Sequence, residues 1–228
     1  MVNAVAGVAD DELDQAENPE LPQQQQLEAT KQDQTATDNE AAVVKETNSR
    51  VEAIIRKKLG RGFSEDDFDE EQFDLLLLEG LDLAGELTLD DKAFLERFCK
   101  AKILNLSYCQ LRSLKNLPVI PTLETLNVSD NNLSGEDLHI INTTYKRLKV
   151  LNLSNNAIRN LDNVALLGKV QTLQLLDLSA NPITDINNYR QNLFEKLPNL
   201  EALDGYNAEG SECSYGEGDN TRFDNDDF

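Results

Sequence analysis

One histidine, one methionine, three cysteines and no tryptophan in 228 residues leave few side chains for chemistry. His139 has no second histidine with which to share a metal and no nucleophile–base pairing. Cys99, Cys109 and Cys213 form no CxxC pair and leave an odd thiol, which argues against a zinc site and for a reducing compartment. No phosphate-cradling glycine loop occurs. The expectation is a protein that is not an enzyme and holds no metal or cofactor. Nothing approaches the ~18 consecutive apolar residues of a membrane span. The opening MVNAVAGVADDELD has neither a basic region nor an adequate apolar core, so no signal peptide is expected. Positive charge is also scarce: 21 bases against 42 acids give a formal charge of −21. Direct nucleic-acid binding is disfavoured, because phosphates would be repelled.

The acids are unevenly placed. Residues 1–49 hold 11 acids and 2 bases, residues 61–100 hold 13 and 4, and residues 207–228 hold 7 and 1, whereas residues 101–206 hold 10 of each. Acidic flanks around a neutral middle suit a basic protein partner, although solubility alone would also account for them. Residues 1–38 are rich in Gln, Asp, Glu, Ala and Thr and lack apolar period, so they read as a disordered extension. Residues 39–72 read as an N-terminal helical cap followed by an acidic-aromatic segment. Within it Val44, Val51, Ile54, Ile55 and Leu59 share a helical face, and Gly60 is the stop. The basic cluster Arg56, Lys57, Lys58 and Arg61 answers either to the helix dipole or to a nuclear-import signal.

From Phe73 a template recurs: apolar at positions 1, 4, 6 and 11, with Asn or Cys at 9. LETLNVSDNNL supplies Leu123, Leu126, Val128, Asn131 and Leu133. LKVLNLSNNAI and LQLLDLSANPI repeat it through Asn156 and Asn181, and AKILNLSYCQL through Cys109. FDLLLLEGLDL is a weaker first copy. This spacing is the leucine-rich-repeat period, and it predicts an α/β solenoid of about five repeats over residues 73–186, with a parallel concave sheet. Positions 4 and 6 point inward from short strands. The position-9 side chain sits where the chain leaves the sheet and can bond backbone groups otherwise left unpaired.

A solenoid exposes its core and a sheet edge at each end. Residues 187–207, NNYRQNLFEKLPNLEALDGYN, read as the closing cap. Asp185, Asn187 or Asn188 caps a helix whose Tyr189, Leu193, Phe194 and Leu197 share a face, and Pro198 ends it. Leu200 and Leu203 then repeat positions 1 and 4 before Asp-Gly turns the chain out toward Tyr206. Residues 208–228 read as a short acidic, disordered tail.

NPITDINNYRQNLFEKLPNLEALDGYN resembles the C-terminal cap of the acidic leucine-rich nuclear phosphoprotein 32 family, through its Asn-x-Tyr-Arg, Leu-Pro-x-Leu and Leu-Asp-Gly-Tyr. LNVSDNNLSGEDL and LKVLNLSNNAIRNLDNV are similar to that family's central repeats, so the likeness covers about residues 50–207. It implies a nuclear, non-enzymatic protein, nuclear alone or also cytoplasmic. It further implies histone binding, as a chaperone or by masking histones from acetyltransferases, and inhibition of protein phosphatase 2A. The family's long Asp/Glu tract after the cap is replaced here by NAEGSECSYGEGDNTRFDNDDF. A looser form of the cap occurs in the spliceosomal U2 A-prime protein and in axonemal adaptors, which keeps a structural scaffold as the alternative.

Two surfaces suit a partner. On the concave face, position 5 reads Leu77, Asn105, Asn127, Asn152 and Asp177, and position 7 reads Glu79, Ser107, Ser129, Ser154 and Ser179. Such amides and hydroxyls can bond a partner; they are also common repeat filler. The second surface is acidic and aromatic: Phe63 and Phe68 in GFSEDDFDEEQF, and Phe223 and Phe228 in TRFDNDDF. Spaced rings among acids suit a basic surface with small apolar pockets. Phe73 also fits the first repeat's core. Ser64, followed by Glu65, Asp66 and Asp67, is either an acid-directed phosphorylation site or a helix cap.

Overall fold

The computed structural model describes residues 49–59 and 73–213, with side chains assigned through residue 55 in the first stretch. The extension 1–38, Val44, Phe63, Ser64, Phe68, Phe223 and Phe228 lie outside the described residues.

Six short strands pair in parallel and in chain order: β1 Leu75–Leu77, β2 Ile103–Asn105, β3 Thr125–Asn127, β4 Val150–Asn152, β5 Leu175–Asp177 and β6 Ala202–Leu203. Leu76, Leu104, Leu126, Leu151, Leu176 and Leu203 face one another in register. Each is no more than 5% exposed, so the position-4 row is the spine of the core. The five repeats thus gain a sixth strand from the closing cap. The strands are joined by short helices, α2 Leu89–Leu95, α3 Leu138–Thr144 and α4 Leu161–Ala165, and by 3-10 turns at Leu166–Lys169 and Pro182–Asp185.

The turns leaving the sheet are held from within. Asn156 Oδ1 accepts from the Leu133 amide at 2.9 Å, while its Nδ2 donates to the carbonyls of Val128, Leu153 and Ser154. Asn131 and Asn181 do the same one repeat to either side. Cys109 fills the equivalent place, fully buried, with its Sγ donating to Leu78 O and Ser107 O at 3.1 and 3.3 Å. The residue just before this position is left-handed in all five repeats: Gly80, Tyr108, Asp130, Asn155 and Ala180 have φ between 50° and 71°. Only one of the five is glycine; the other four carry the cost of that conformation.

The N-terminal cap is α1, Arg50–Leu59, whose start is held by Ser49 Oγ accepting from the Glu52 amide at 2.9 Å. Val51 is fully buried against the first repeat, and Ile54 and Ile55 pack beside it. Asp91 joins this helix to α2. Its carboxylate accepts from the amides of Val51 (3.1 Å) and Thr88 (3.0 Å), and from Arg50 at 3.3 Å. Thr88 returns the bond to the Asp91 amide, closing a capping box. Burial favours the neutral carboxyl, but the backbone bonds from Thr88 and Val51 outweigh it and hold Asp91 below the usual carboxylate range.

At the other end α5, Tyr189–Lys196, lays Tyr189, Leu193 and Leu197 on the core, with Phe194 half-buried beside them. Asn188 starts it in a left-handed conformation (φ 58°) and makes no side-chain cap bond. Asparagine tolerates that geometry better than most residues. The ordered cap runs past residue 207 to Cys213, because Asn207 Oδ1 holds the Ser211 amide and Gly205 O holds the Cys213 amide. This folded-back segment bridges Tyr206 to both Leu203 and Glu212.

Candidate protein-binding surface

Along the sheet, each position-6 amide donates to the position-5 carbonyl of the next strand, as from Leu153 N to Asp177 O at 2.8 Å. At β6 the chain turns left-handed at Asp204 (φ 50°) and Gly205 (φ 81°). There the Asp204 side chain takes over: Oδ1 accepts from Leu178 N at 2.8 Å, while Oδ2 accepts from the Tyr189 hydroxyl and from Arg190. Arg190 also donates to Leu203 O at 2.8 Å and lies 4.7 Å over the Tyr206 ring. The Tyr-Arg and Leu-Asp-Gly-Tyr of the cap are thus one cluster that ends a parallel ladder. Burial, ahead of the opposing bonds from Tyr189 and Leu178, raises the Asp204 carboxyl, and burial together with Asp204 raises the Tyr189 hydroxyl. Leu197 and Leu203 are core, and Tyr206 is 42% exposed.

On the concave face the amides of Asn105, Asn127 and Asn152 stand in one row, which the Asp177 carboxylate continues. Each Oδ1 accepts from the amide two residues on, at Ser107, Ser129, Ser154 and Ser179, each at 2.9 Å. Asn105, Asn127, Asn152, Ser107 and Ser129 are buried. Rows about 4.8 Å apart cover one another, so the middle of the sheet offers a partner little side-chain surface. Ser154 and Asp177 are half-buried and Ser179 is exposed.

The first strand differs. Leu75 and Leu77 are 45% and 49% exposed, and half-buried Ile103 lies beside Leu75. The signal was in the sequence: the run Leu75–Leu78 is apolar without alternation, so both sheet faces are greasy there. Phe73 is 38% exposed, its ring edge-on to Phe98 at 5.8 Å. Tyr108, 54% exposed, stands at the strand-exit rim with Glu79 and Asp130. The Asp130 carboxylate, with a smaller contribution from Glu79, pushes the Tyr108 hydroxyl above its ordinary range. Among the described residues Glu79, Asp130 and Asp177 have no ion-pair partner. On the opposite rim charge is balanced in register, Lys102 with Asp74 at 3.6 Å and Lys149 with Glu124 at 2.7 Å. The concave surface is therefore apolar at its N-terminal end, amide-lined and closed in the middle, and acidic along its exit rim.

A leucine-rich-repeat family model matches residues 93–212. An acidic leucine-rich nuclear phosphoprotein 32-related protein of Plasmodium falciparum is 33% identical over 143 residues, 62% of this chain and 50% of that protein. The acidic leucine-rich nuclear phosphoprotein 32 family member A of Drosophila pseudoobscura pseudoobscura is 35% identical over 124 residues, 54% of this chain and 46% of that protein. The chain spans about half the length of these curated relatives. Among solved structures, a chain of the Drosophila melanogaster SNF/U2A' complex superposes with a TM-score of 0.50 at 26% identity, covering 59% of this chain and 74% of that one. The family resemblance carried by the cap and central repeats is thus matched by relatives that bear that family's name over 54% to 62% of this chain.

Proposed function

The chain belongs to the leucine-rich-repeat family, and on that premise we propose that it is a non-enzymatic nuclear protein whose concave face binds basic proteins, histones first. The carrying observation is the meeting of exposed Leu75, Leu77 and Tyr108 with Glu79 and Asp130, acids that no cation neutralises among the described residues. A basic segment bearing aliphatic side chains matches both features. Covering the exposed parts of two leucines, each about half a side chain, contributes roughly 1.5–3 kcal/mol. The acids add orientation and association rate more than affinity. The nuclear assignment rests on similarity to relatives named as nuclear phosphoproteins, and the choice of histones on the acid-rimmed face together with the family resemblance of the cap. Chaperoning or acetyltransferase masking would follow from covering histone surface. Purified protein is expected to retain core histones at ~0.15 M salt and to release them as salt rises. Failure to retain them, or retention indifferent to salt, sinks this reading. Inhibition of protein phosphatase 2A, a second family activity, is checked by titrating the protein into a phosphatase assay.

A scaffold role is the second reading, favoured by the fold match to a chain of the SNF/U2A' complex. Affinity capture from nuclear extract separates the two. Ribonucleoprotein components in place of histones would decide for the scaffold.

A further inference from the structure

Position 12, one residue past the last buried side chain of each turn, reads Ala84, Arg112, Ser134, Arg159 and Thr184 along the stack. Backbone bonds fix the adjacency: Asn132 N donates to Leu111 O at 2.7 Å, and Ala157 N to Leu133 O at 3.0 Å. Ser134 therefore has an arginine one repeat away on either side, about 5 Å along the stack at the strand spacing. Gly135 (φ 87°) packs against the repeat that carries Arg159; a Cβ there would lie 3.2 Å from Ile158 Cγ2. Arg112, Ser134 and Arg159 are all exposed. Among the described residues neither guanidinium has a carboxylate within ion-pair distance. In an acid-rich chain, two arginines left free around one hydroxyl make a site for a dianion. Glu136 and Asp137 follow Ser134 at the second and third places, the pattern an acid-directed kinase reads.

We propose that Ser134 is a phosphorylation site and that its phosphate is held between Arg159 and Arg112. Ser134 Oγ attacks the γ-phosphorus of ATP in the cleft of an acid-directed kinase. The new Oγ–P bond forms as the bond to the ADP oxygen breaks, and the hydroxyl proton passes to the kinase's base. Asp137 meanwhile holds Ser113 Oγ at 2.5 Å and Leu114 N at 3.2 Å, so the turn opens locally to enter the cleft. On reclosing, the phosphate accepts charge-assisted bonds from the two forks and ties repeats two, three and four along one edge.

The full chain is incubated with an acid-directed protein kinase and ATP, and the phosphate is mapped by mass spectrometry. The modified protein is expected to carry phosphate on Ser134 and to melt roughly 2–4 °C higher than the unmodified one. By phosphorus NMR its second phosphate ionisation falls well below the ~6 of a free phosphoserine. In the Arg112→Gln/Arg159→Gln variant, Ser134 is still modified but both shifts disappear. Ser134→Ala takes up no phosphate at this turn and melts like the parent. Phosphate found only elsewhere, on Ser64 for instance, overturns the proposal. So does a phosphorylated Ser134 whose ionisation and melting match those in the double variant.

Discussion

Replacing Asn156 with alanine removes four hydrogen bonds from the place where repeat four leaves the sheet. Their loss is unequal. The carbonyl of Val128 keeps the Asn131 side chain, that of Leu153 keeps Asn181, and that of Ser154 keeps the Asp130 amide. The Leu133 amide loses the acceptor that Asn156 Oδ1 supplies, at a residue only 2% exposed. An unsatisfied buried amide costs about 1–3 kcal/mol, and three weakened carbonyls add about 1 kcal/mol more. The expected destabilisation is therefore ~2–4 kcal/mol, read as a lower urea midpoint with an unchanged slope. Asn156→Cys should cost less than Asn156→Ala, because a thiol can donate to two carbonyls as Cys109 does. A loss below ~0.5 kcal/mol for the alanine variant, or a cysteine variant worse than alanine, would refute the view that position 9 holds the turns.

Acid should act oppositely on the two caps. Asp91 is held low by its backbone donors, so its contribution is complete above the ordinary aspartate value (~3.9) and is lost as pH falls through the depressed one. Asp91→Asn should lower the urea midpoint at pH 6, and by progressively less as pH falls below ~3.9. Asp204 is raised by burial, so the folded state binds its proton more tightly and stability falls as pH rises from ~3.9 through the raised value, then levels. Asp204→Asn should remove that slope; a slope that survives contradicts the assignment. At Gly168 an added Cβ would lie 2.7 Å from the Lys196 carbonyl, so Gly168→Ala should cost about 1–3 kcal/mol in the same measurement.

The repeat period alone was enough to place the spine. Leucines at positions 4 and 6 can recur every 22 to 28 residues in only a few architectures, and the row from Leu76 to Leu203 follows. The position-9 asparagines were legible too, since one residue type in one place has one backbone need. Asp91 was missed because a carboxylate in an acid-rich stretch looks solvated; the Thr88-x-x-Asp91 spacing was the available sign of a capping box. Asp204 read only as half of an Asp-Gly turn, for nothing local shows that its carboxylate stands in for a strand carbonyl and accepts from the Leu178 amide one repeat back along the chain. Alternation told which face Asn105, Asn127 and Asn152 occupy, but not that neighbouring rows would close over them. Local pattern specifies direction; exposure depends on the stacking of distant segments. The same limit hid Tyr108, whose place beside Glu79 and Asp130 joins three repeats.

The central claim is that the apolar, acid-rimmed end of the concave face takes a basic protein. The most direct measurement is the affinity of core histones at ~0.15 M salt for the parent chain and for a Leu77→Ser/Glu79→Lys/Asp130→Lys variant, with melting curves to confirm that both fold. The prediction is at least about a tenfold loss of affinity together with a weaker salt dependence. Equal affinities would contradict the account, placing histone binding outside this face.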